Sequence, residues 1–527
     1  MSEPREPREP RETVKLTIDG SPVEVEKGST VLQAAGRLEI DVPRYCYHPG
    51  LSIAGNCRIC VVEIERMPKL VTSCTTVAAD GMVVRTEGPK VEDGRRAVME
   101  FLLANHPLDC PICDQAGECR LQEYSFQHGS GASRFLEQRI QGFKATPVGP
   151  HVVLDTERCI VCTRCVRFCE EVTGTGELGV FQRGAFSYID VFPGREMDNP
   201  YSGNTVDICP VGALTLKEFR FKKRVWELKD VPSTCGSCAR GCNVNLGTAD
   251  NRIWRLTPRE NQHVNKWWMC DEGRLSYEPL YAIPRLTEAL LRSQAESPVK
   301  WPSAVELLAA KLKEARPGAV ACVVSASCTV EDLYLVKRLV AELLKSDRLV
   351  VPQHIRGEDD ALLIRADKSA NTEGARLLGL PLDPDGSRLA SLLKEAKEGK
   401  VDVILVFNEE VAGLAAARAN AFICIASPFR TASVEAADLV LPAAAYGEHE
   451  GTWVNFQRRA QRVRRALVPP GVSLEVWRWA AEVIKALGSP APYGSSGEVL
   501  QEIAGKVPAF AGLTVKGMGL QGVQLPR

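Results

Sequence analysis

"CIVCTRCVRFC", residues 159–169, sets Cys159, Cys162, Cys165 and Cys169 at intervals of two, two and three intervening residues. Further on, "DICPVGAL" (207–214) places Cys209 directly before Pro210. Three thiolates this close together can take three irons of a cubane 4Fe-4S cluster, with the fourth ligand a prolyl cysteine from elsewhere in the chain. Cys159, Cys162, Cys165 and Cys209 are therefore the expected set. No second C-x2-C-x2-C run lies near Cys209, so Cys169 is left over and reads as a buried free thiol.

Working toward the N-terminus, "HPLDCPICDQAGEC" (106–119) follows the helical pattern "GRRAVMEFLLAN" and offers His106, Cys110, Cys113 and Cys119. Pro107, Pro111 and Gly117 supply the bends that let one loop approach a cluster from several directions. A lone histidine at a helix end is usually structural, but three cysteines in register behind it reverse that prior. Imidazole is neutral where thiolate is negative, so this ligand makes a 4Fe-4S cluster less anionic and raises its potential.

Residues 13–93 begin with "TVKLTIDGSPVEVEKG", in which Val14, Leu16 and Ile18 share one face, Asp19-Gly20 marks a hairpin turn, and Val23 and Val25 return. A short helix, "TVLQAAGRL", and the loop "CYHPGLSIAGNCRIC" follow, giving Cys46, Cys57 and Cys60, with Cys74 beyond the strand-like "VVEIE". Hairpin, helix and cysteine loop suggest a 2Fe-2S ferredoxin-type β-grasp domain, with ten residues rather than four between the first two ligands. Gly50 and Gly55 are expected to turn backbone N–H groups toward the sulfides, and His48 to be a supporting residue. A structural zinc site is the rival reading of four such cysteines. A fourth group, "CGSCARGC" with Cys235, Cys238 and Cys242, is joined by Cys270 in "WWMCDEGR". It reads as a further 4Fe-4S site, with zinc again the alternative.

Fifteen cysteines and His106 make four sets of four, one 2Fe-2S and three 4Fe-4S, leaving Cys169, Cys322, Cys328 and Cys424 as ordinary small buried residues. Sixteen of the 19 cysteines precede residue 271. A reducing compartment and an odd count argue against a disulfide framework. The 527 residues are 45% hydrophobic and 25% charged, which suits several globular domains. The net charge of -1 gives no reason to expect nucleic acid or an anionic membrane as partner. Apolar runs such as "VDVILVF" (401–407) suit buried strands and fall well short of a membrane span. The Pro-Glu-Arg repeat over residues 1–12 lacks the apolar region of a signal peptide and is expected to be a disordered tail on a cytosolic protein.

Residues 13 to about 280, with these four ligand sets and their spacings, resemble the large peripheral-arm iron-sulfur subunits of bacterial respiratory complex I, NADH:quinone oxidoreductase. The resemblance implies an electron relay in a proton-translocating complex. Electrons would come from a flavin-bearing, NADH-oxidising subunit and leave toward quinone-side iron-sulfur subunits, with the fourth cluster off the path. It also implies a peripheral place on the cytoplasmic side of the bacterial inner membrane, reached only through the complex. Arg58, Arg164 and Arg167 lie between or beside ligands, where positive charge would favour a reduced cluster.

The remainder alternates helical patterns with buried-strand runs such as "AVACVV" and "AFICIAS", and is expected to be α/β. Within it, "ASVEAADLVLPAAAYGEHEGTWVNFQRRAQ" (432–461) resembles molybdopterin oxidoreductases, in which an A-D-x-x-L-P strand precedes an E-G-T-x-x-N turn. Those enzymes typically follow their last cluster cysteine with x-Lys-Gly, whereas Cys270-Asp271-Glu272-Gly273 stands here. The region is accordingly read as a degenerate, shortened scaffold without molybdenum. G-x-G-x-x-G occurs at Gly174, Gly176 and Gly179 and at Gly517, Gly519 and Gly522, in neither case between a strand and a helix, so neither NAD nor flavin is expected on this chain.

The expected organisation is multidomain, α+β and α/β. A tail (1–12) precedes a 2Fe-2S domain (13–93), a 4Fe-4S domain with one His and three Cys ligands (94–150) and a ferredoxin-like 4Fe-4S domain (151–230). A molybdopterin-oxidoreductase-type 4Fe-4S domain (231–287) and the α/β region (288–527) follow. Three rivals remain: a molybdenum enzyme, a zinc-stapled scaffold, and the iron-sulfur subunit of an NAD-linked hydrogenase or formate dehydrogenase.

Overall fold

The computed structural model describes residues 12–292 and 297–526, so the expected tail lies outside the described residues except for Glu12. The chain divides into two compact units, Met1–Glu227 and Leu228–Arg527.

In the first unit, β1 (Thr13–Ile18) and β2 (Ser21–Glu26) pair antiparallel with Val14 opposite Val25 and Leu16 opposite Val23. Asp19 and Gly20 both take left-handed φ values, 48° and 81°, as a two-residue hairpin turn requires. Thr30 and Gln33 form a reciprocal capping box at the start of α1 (Val31–Arg37). With β3 (Val61–Ile64), β4 (Val71–Thr72) and β5 (Val83–Arg85), the sheet runs β2-β1-β5-β3-β4. Leu16, Ile18, Val31, Val62, Ile64 and Val84 form its core together with Cys60 and Cys74. Two of the four cysteines of this domain thus sit in its hydrophobic centre. A long helix, α2 (Pro89–Asn105), stops where His106 turns to an extended backbone. Helix α3 (Arg120–His128) starts directly after Cys119, and α4 (Arg164–Glu171) carries Cys165 and Cys169.

The second unit opens with a three-stranded antiparallel sheet, Lys229–Thr234, Asn243–Ala249 and Arg252–Pro258, whose first connection is the Cys235–Cys242 loop. Beyond it lies an eight-stranded sheet. Its parallel strands include Val320–Val324, Val403–Phe407 and Phe422–Ser427, which are buried on both faces and therefore read as unbroken apolar runs. Cys322, Val324, Leu405 and Phe407 face one core, shared with helices Val330–Lys337 and Val476–Ala486. Ala321, Val323, Ile404 and Val406 face the other, shared with helix Ser387–Lys397. Cys322 and Cys424 are core side chains of this sheet, as expected. The helical pattern after Thr329 continues past Lys337 as a wider π turn, Arg338–Leu343.

Glu331 is fully buried on helix Val330–Lys337, and its carboxylate accepts hydrogen bonds from Thr452 N and Oγ1, both at 2.8 Å. Burial pushes its pKa up to about 7. A carboxyl raised in this way contributes stability that is present below its ordinary value and lost as pH rises through about 7. Glu331→Gln reproduces the neutral acid and can still serve Thr452. It should flatten the fall in thermal stability between pH 5 and 8 and stabilise the chain above pH 7, read by calorimetry across that range.

Candidate metal centres

At the first site the loop after α1 delivers Cys46, Cys57 and Cys60, and β4 is followed by Cys74. Cys60 Sγ and Cys74 Sγ lie 3.4 Å apart. The thiols of Cys57 and Cys74 hold the Cys46 thiol well below its usual range, and Cys74 does the same to Cys60. The same contacts, with burial, push Cys57 and Cys74 up. Side-chain contacts from Cys46 to Cys57 and Cys74, and from Cys74 to Cys60, link the four sulfurs into one group. Gly55 has a left-handed φ of 65°. Gly50 does not; its N–H goes to His48 Nδ1 at 3.1 Å, so it holds the histidine ring and not a sulfide.

His106, Cys110 and Cys119 line one cavity, with Cys113 electrostatically coupled to Cys110 and Cys119. Burial, and then the nearby Arg158 charge, lowers the His106 pKa to about 4, which keeps the imidazole neutral and free to act as a ligand. The loop is tied down at several points. Asp109 pairs with Arg158 and Lys144, each at 2.9 Å, and Arg224 donates to Cys113 O at 2.6 Å and Pro111 O at 2.5 Å. Gly117 supplies the expected bend at φ 91°.

Cys159, Cys162, Cys165 and Cys209 line a single cavity walled by Leu154, Ile160, Ile189, Val211 and Leu214. Val161 N–H donates to Cys159 Sγ at 3.3 Å. Cys169 does not line this cavity. Its thiol lies against Glu177, pushed up to about 12 by burial and then by that carboxylate.

In the second unit, Cys235, Cys238, Cys242 and Cys270 are all buried and mutually coupled, burial pushing Cys270 up to about 12. Gly273 packs between Cys235 and Cys270, where an added Cβ would stand 3.1 and 3.3 Å from their sulfurs. Asn455 Nδ2 of the E-G-T-x-x-N turn donates to Arg240 O at 3.2 Å, and Trp453 packs over Gly236. Glu272, the acid standing in the x-Lys-Gly position, pairs with Lys368 at 2.6 Å.

Soft thiolates and one imidazole, spread around apolar cavity walls, fit iron-sulfur clusters. Burial raises most of these thiols, so a bound cation would displace their protons to solvent as it takes up the thiolates.

Several functional contacts have no motif of their own. Tyr45, wholly buried, donates to Met99 Sδ at 3.3 Å and stacks edge-on against Tyr124, between Cys57 of the first site and Cys119 of the second. Gly212, three residues after Cys209, lies under Cys113: a Cβ there would stand 2.2 Å from its sulfur. Only the glycine following C-P-V could have hinted at this.

Fold and sites define a class of architecture: ferredoxin-like iron-sulfur regions that precede a molybdopterin-oxidoreductase-like half. Family models agree region by region. Residues 11–89 match the 2Fe-2S iron-sulfur cluster binding domain, 95–134 the NADH-ubiquinone oxidoreductase-G iron-sulfur binding region, and 149–215 the NADH-quinone oxidoreductase subunit 3 ferredoxin-like domain. Residues 228–282 match the molybdopterin oxidoreductase Fe4S4 domain, and 365–486 molybdopterin oxidoreductase itself. The chain is a relative of the G-type iron-sulfur subunits of NADH-quinone oxidoreductase and of their 75 kDa counterparts. It is 41% identical to the G-type subunit of Rickettsia felis over 331 residues, 63% of this chain and 49% of the relative. It is 40% identical to the NADH-ubiquinone oxidoreductase 75 kDa subunit of Reclinomonas americana over 362 residues, 67% and 52% of the two chains. A solved NAD+-reducing [NiFe]-hydrogenase chain is 32% identical over 40% of this chain and 91% of its own, at a TM-score of 0.37, too low to carry an argument. The chain spans about half the length of the relatives it matches.

Gly212→Ala should displace Cys113, and so remove or reshape one 4Fe-4S signal while leaving the 2Fe-2S signal of the Cys46 group intact. Electron paramagnetic resonance of the reduced protein reads this directly.

Proposed function

We propose that this chain is an electron-transfer subunit of an NADH:quinone oxidoreductase, relaying electrons from a flavin-bearing subunit toward quinone-side iron-sulfur subunits. In this reading Cys46, Cys57, Cys60 and Cys74 hold a 2Fe-2S cluster. His106, Cys110, Cys113 and Cys119, and likewise Cys159, Cys162, Cys165 and Cys209, hold 4Fe-4S clusters, with Cys235, Cys238, Cys242 and Cys270 holding a third. Iron-sulfur clusters, when bound, supply one-electron redox centres whose potentials follow ligand charge, hydrogen bonding and burial.

The observation that carries the reading is a shared core. Cys46 and Cys57 of the first set, Cys119 of the second, and Cys159, Cys162 and Cys209 of the third pack into one apolar cluster with Tyr45, Ile59, Met99, Leu121, Tyr124 and Val211. Independent structural metal sites have no need to adjoin. A relay does, and the core's side chains exclude water from the ground between the sites. The likeness to the G-type subunits supports a structural role off the relay for the fourth set.

We further infer that the molybdopterin-oxidoreductase-like half is a scaffold without molybdenum, since its x-Lys-Gly position is the acid Glu272, already committed to Lys368. The domain limits proposed are 13–93, 94–150, 151–230, 231–287 and 288–527. No helix among the described residues is long and apolar enough to cross a membrane. A peripheral place on the cytoplasmic side, held through the complex, is the corresponding proposal.

Iron, acid-labile sulfide, zinc and molybdenum should be assayed on anaerobically purified chain. About 14 irons, for one two-iron and three four-iron clusters, with no molybdenum, are expected. His106→Cys should lower the potential of one 4Fe-4S centre without moving the 2Fe-2S signal. Zinc in place of iron would reduce the chain to a scaffold, and stoichiometric molybdenum would make the second half catalytic.

A further inference from the structure

Two arginines of α4, one helical turn apart and each about 8% exposed, reach across from the Cys159–Cys209 site to the Cys46 site. Arg167 Nη2 donates to Cys46 O at 2.6 Å and to Cys162 O at 3.3 Å, and its Nη1 donates to Ser52 O. Arg164 Nη2 donates to Tyr47 O at 2.5 Å while its Nη1 donates to Ile208 O at 2.9 Å. Each guanidinium therefore holds the peptide of a candidate ligand, or of its immediate neighbour, on both sites at once. Ser52 N–H to Glu171 at 2.8 Å and Asn56 Nδ2 to Val161 O at 3.3 Å complete the seam.

The charge balance is as telling as the geometry. Neither arginine has a carboxylate partner among the described residues; their guanidinium N–H groups go to backbone carbonyls, and Arg167 Nε also to Thr163 Oγ1. Buried cations without a counterion are costly, and the carbonyl contacts occupy their N–H groups without neutralising the charge. The sulfurs of Cys46, Cys162 and Cys209 face Arg164, and that of Cys162 faces Arg167 as well; they would carry the balancing negative charge once they hold a cluster. Arg58, the third arginine expected beside ligands, is instead exposed and spans no such seam.

We propose that Arg164 and Arg167 form a shared cationic bridge that fixes the spacing of the 2Fe-2S site and the Cys159–Cys209 4Fe-4S site and raises both potentials together. This rests on the electron-transfer reading above. A cation common to two centres stabilises the added electron on either one. Because both sites lean on the same charges, their potentials are tied to each other and not to the His106 site, which neither arginine contacts. These are positioning residues, acting through the ligand peptides.

The test is a redox titration followed by electron paramagnetic resonance on the iron-loaded full chain, comparing the parent with Arg164→Gln, Arg167→Gln and the two lysine variants. Each glutamine variant should disfavour reduction of both centres at least tenfold, about 59 mV for one electron, and shift the His106 centre far less. Lysine keeps the charge but cannot fork to two carbonyls. The lysine variants should recover most of the potential yet change the dipolar coupling between the two reduced centres. Iron-loaded glutamine variants whose two potentials stay put, or move singly, would overturn the bridge. If the glutamine variants lose iron, unchanged dipolar coupling in the lysine variants overturns it instead. A parent chain without iron would sink the electron-transfer reading itself, a result distinct from either.

Discussion

A thiolate in an apolar core costs several kcal/mol unless a cation stands against it, and eleven of the fifteen candidate ligand cysteines of this chain are buried. Much of the first unit can be understood as accommodation of that cost. Most candidate ligands stand on loops, with Cys165 on the first turn of α4, because four donors must meet from different directions. Their backbones accordingly take conformations that ordinary loops avoid. Arg58 between Cys57 and Cys60, Val161 between Cys159 and Cys162, and Thr163 between Cys162 and Cys165 have φ values of 60°, 49° and 61°. For a β-branched residue such as Val161 this is a real outlier, and strain of this kind costs about 1–3 kcal/mol per residue. The surrounding network of Arg164, Arg167, Arg158 and Arg224 contacts to loop carbonyls and carboxylates holds the strained loops in place.

That cost links metal binding to folding. Thiols raised by burial are poor ligands until a cation arrives, and the strained loops gain little from closing without it. Ligand loading and completion of the fold are then parts of one equilibrium. The apolar cluster around Tyr45, Met99 and Tyr124 makes the coupling wider than a single site, since it is built from side chains of three ligand sets. A disturbance at one loop reaches the next through packed atoms, as where Gly212 touches Cys113.

The local chemistry was legible in the sequence because ligand spacing is a one-dimensional property. C-x2-C-x2-C, the histidine ahead of three cysteines, the Asp19-Gly20 hairpin and the buried strand runs all depend on neighbours within a few residues. The relations between sites were not legible. Nothing in "CTRCVRFC" says that Arg164 and Arg167 reach the Cys46 loop, more than 100 residues away in the chain. Gly50 departs from its expected role for a related reason: a glycine in a ligand loop suggests a bend toward sulfide, but a histidine two residues earlier competes for its N–H. Cys169 shows the reverse, for a spacing that suggests a ligand gives way to the prolyl Cys209, and its side chain faces Glu177.

The second unit shows how a motif can persist for a mechanical reason. The E-G-T-x-x-N turn packs against the Cys235–Cys242 loop through Asn455 and Trp453, while Thr452 is held by the buried Glu331 of the large sheet's covering helix. Asn371 extends the same brace, accepting from Val454 N and donating to Cys328 O, each at 2.8 Å. The residues of the turn are thus consumed in joining the cysteine loop to the α/β core, with their polar atoms directed at protein groups. A change at Glu272, by contrast, faces outward to Lys368 and alters charge without touching that brace. Mechanical and electrostatic roles are separable here. The first can be retained while the second is exchanged, and a scaffold derived from a catalytic fold would keep and lose those features in that order.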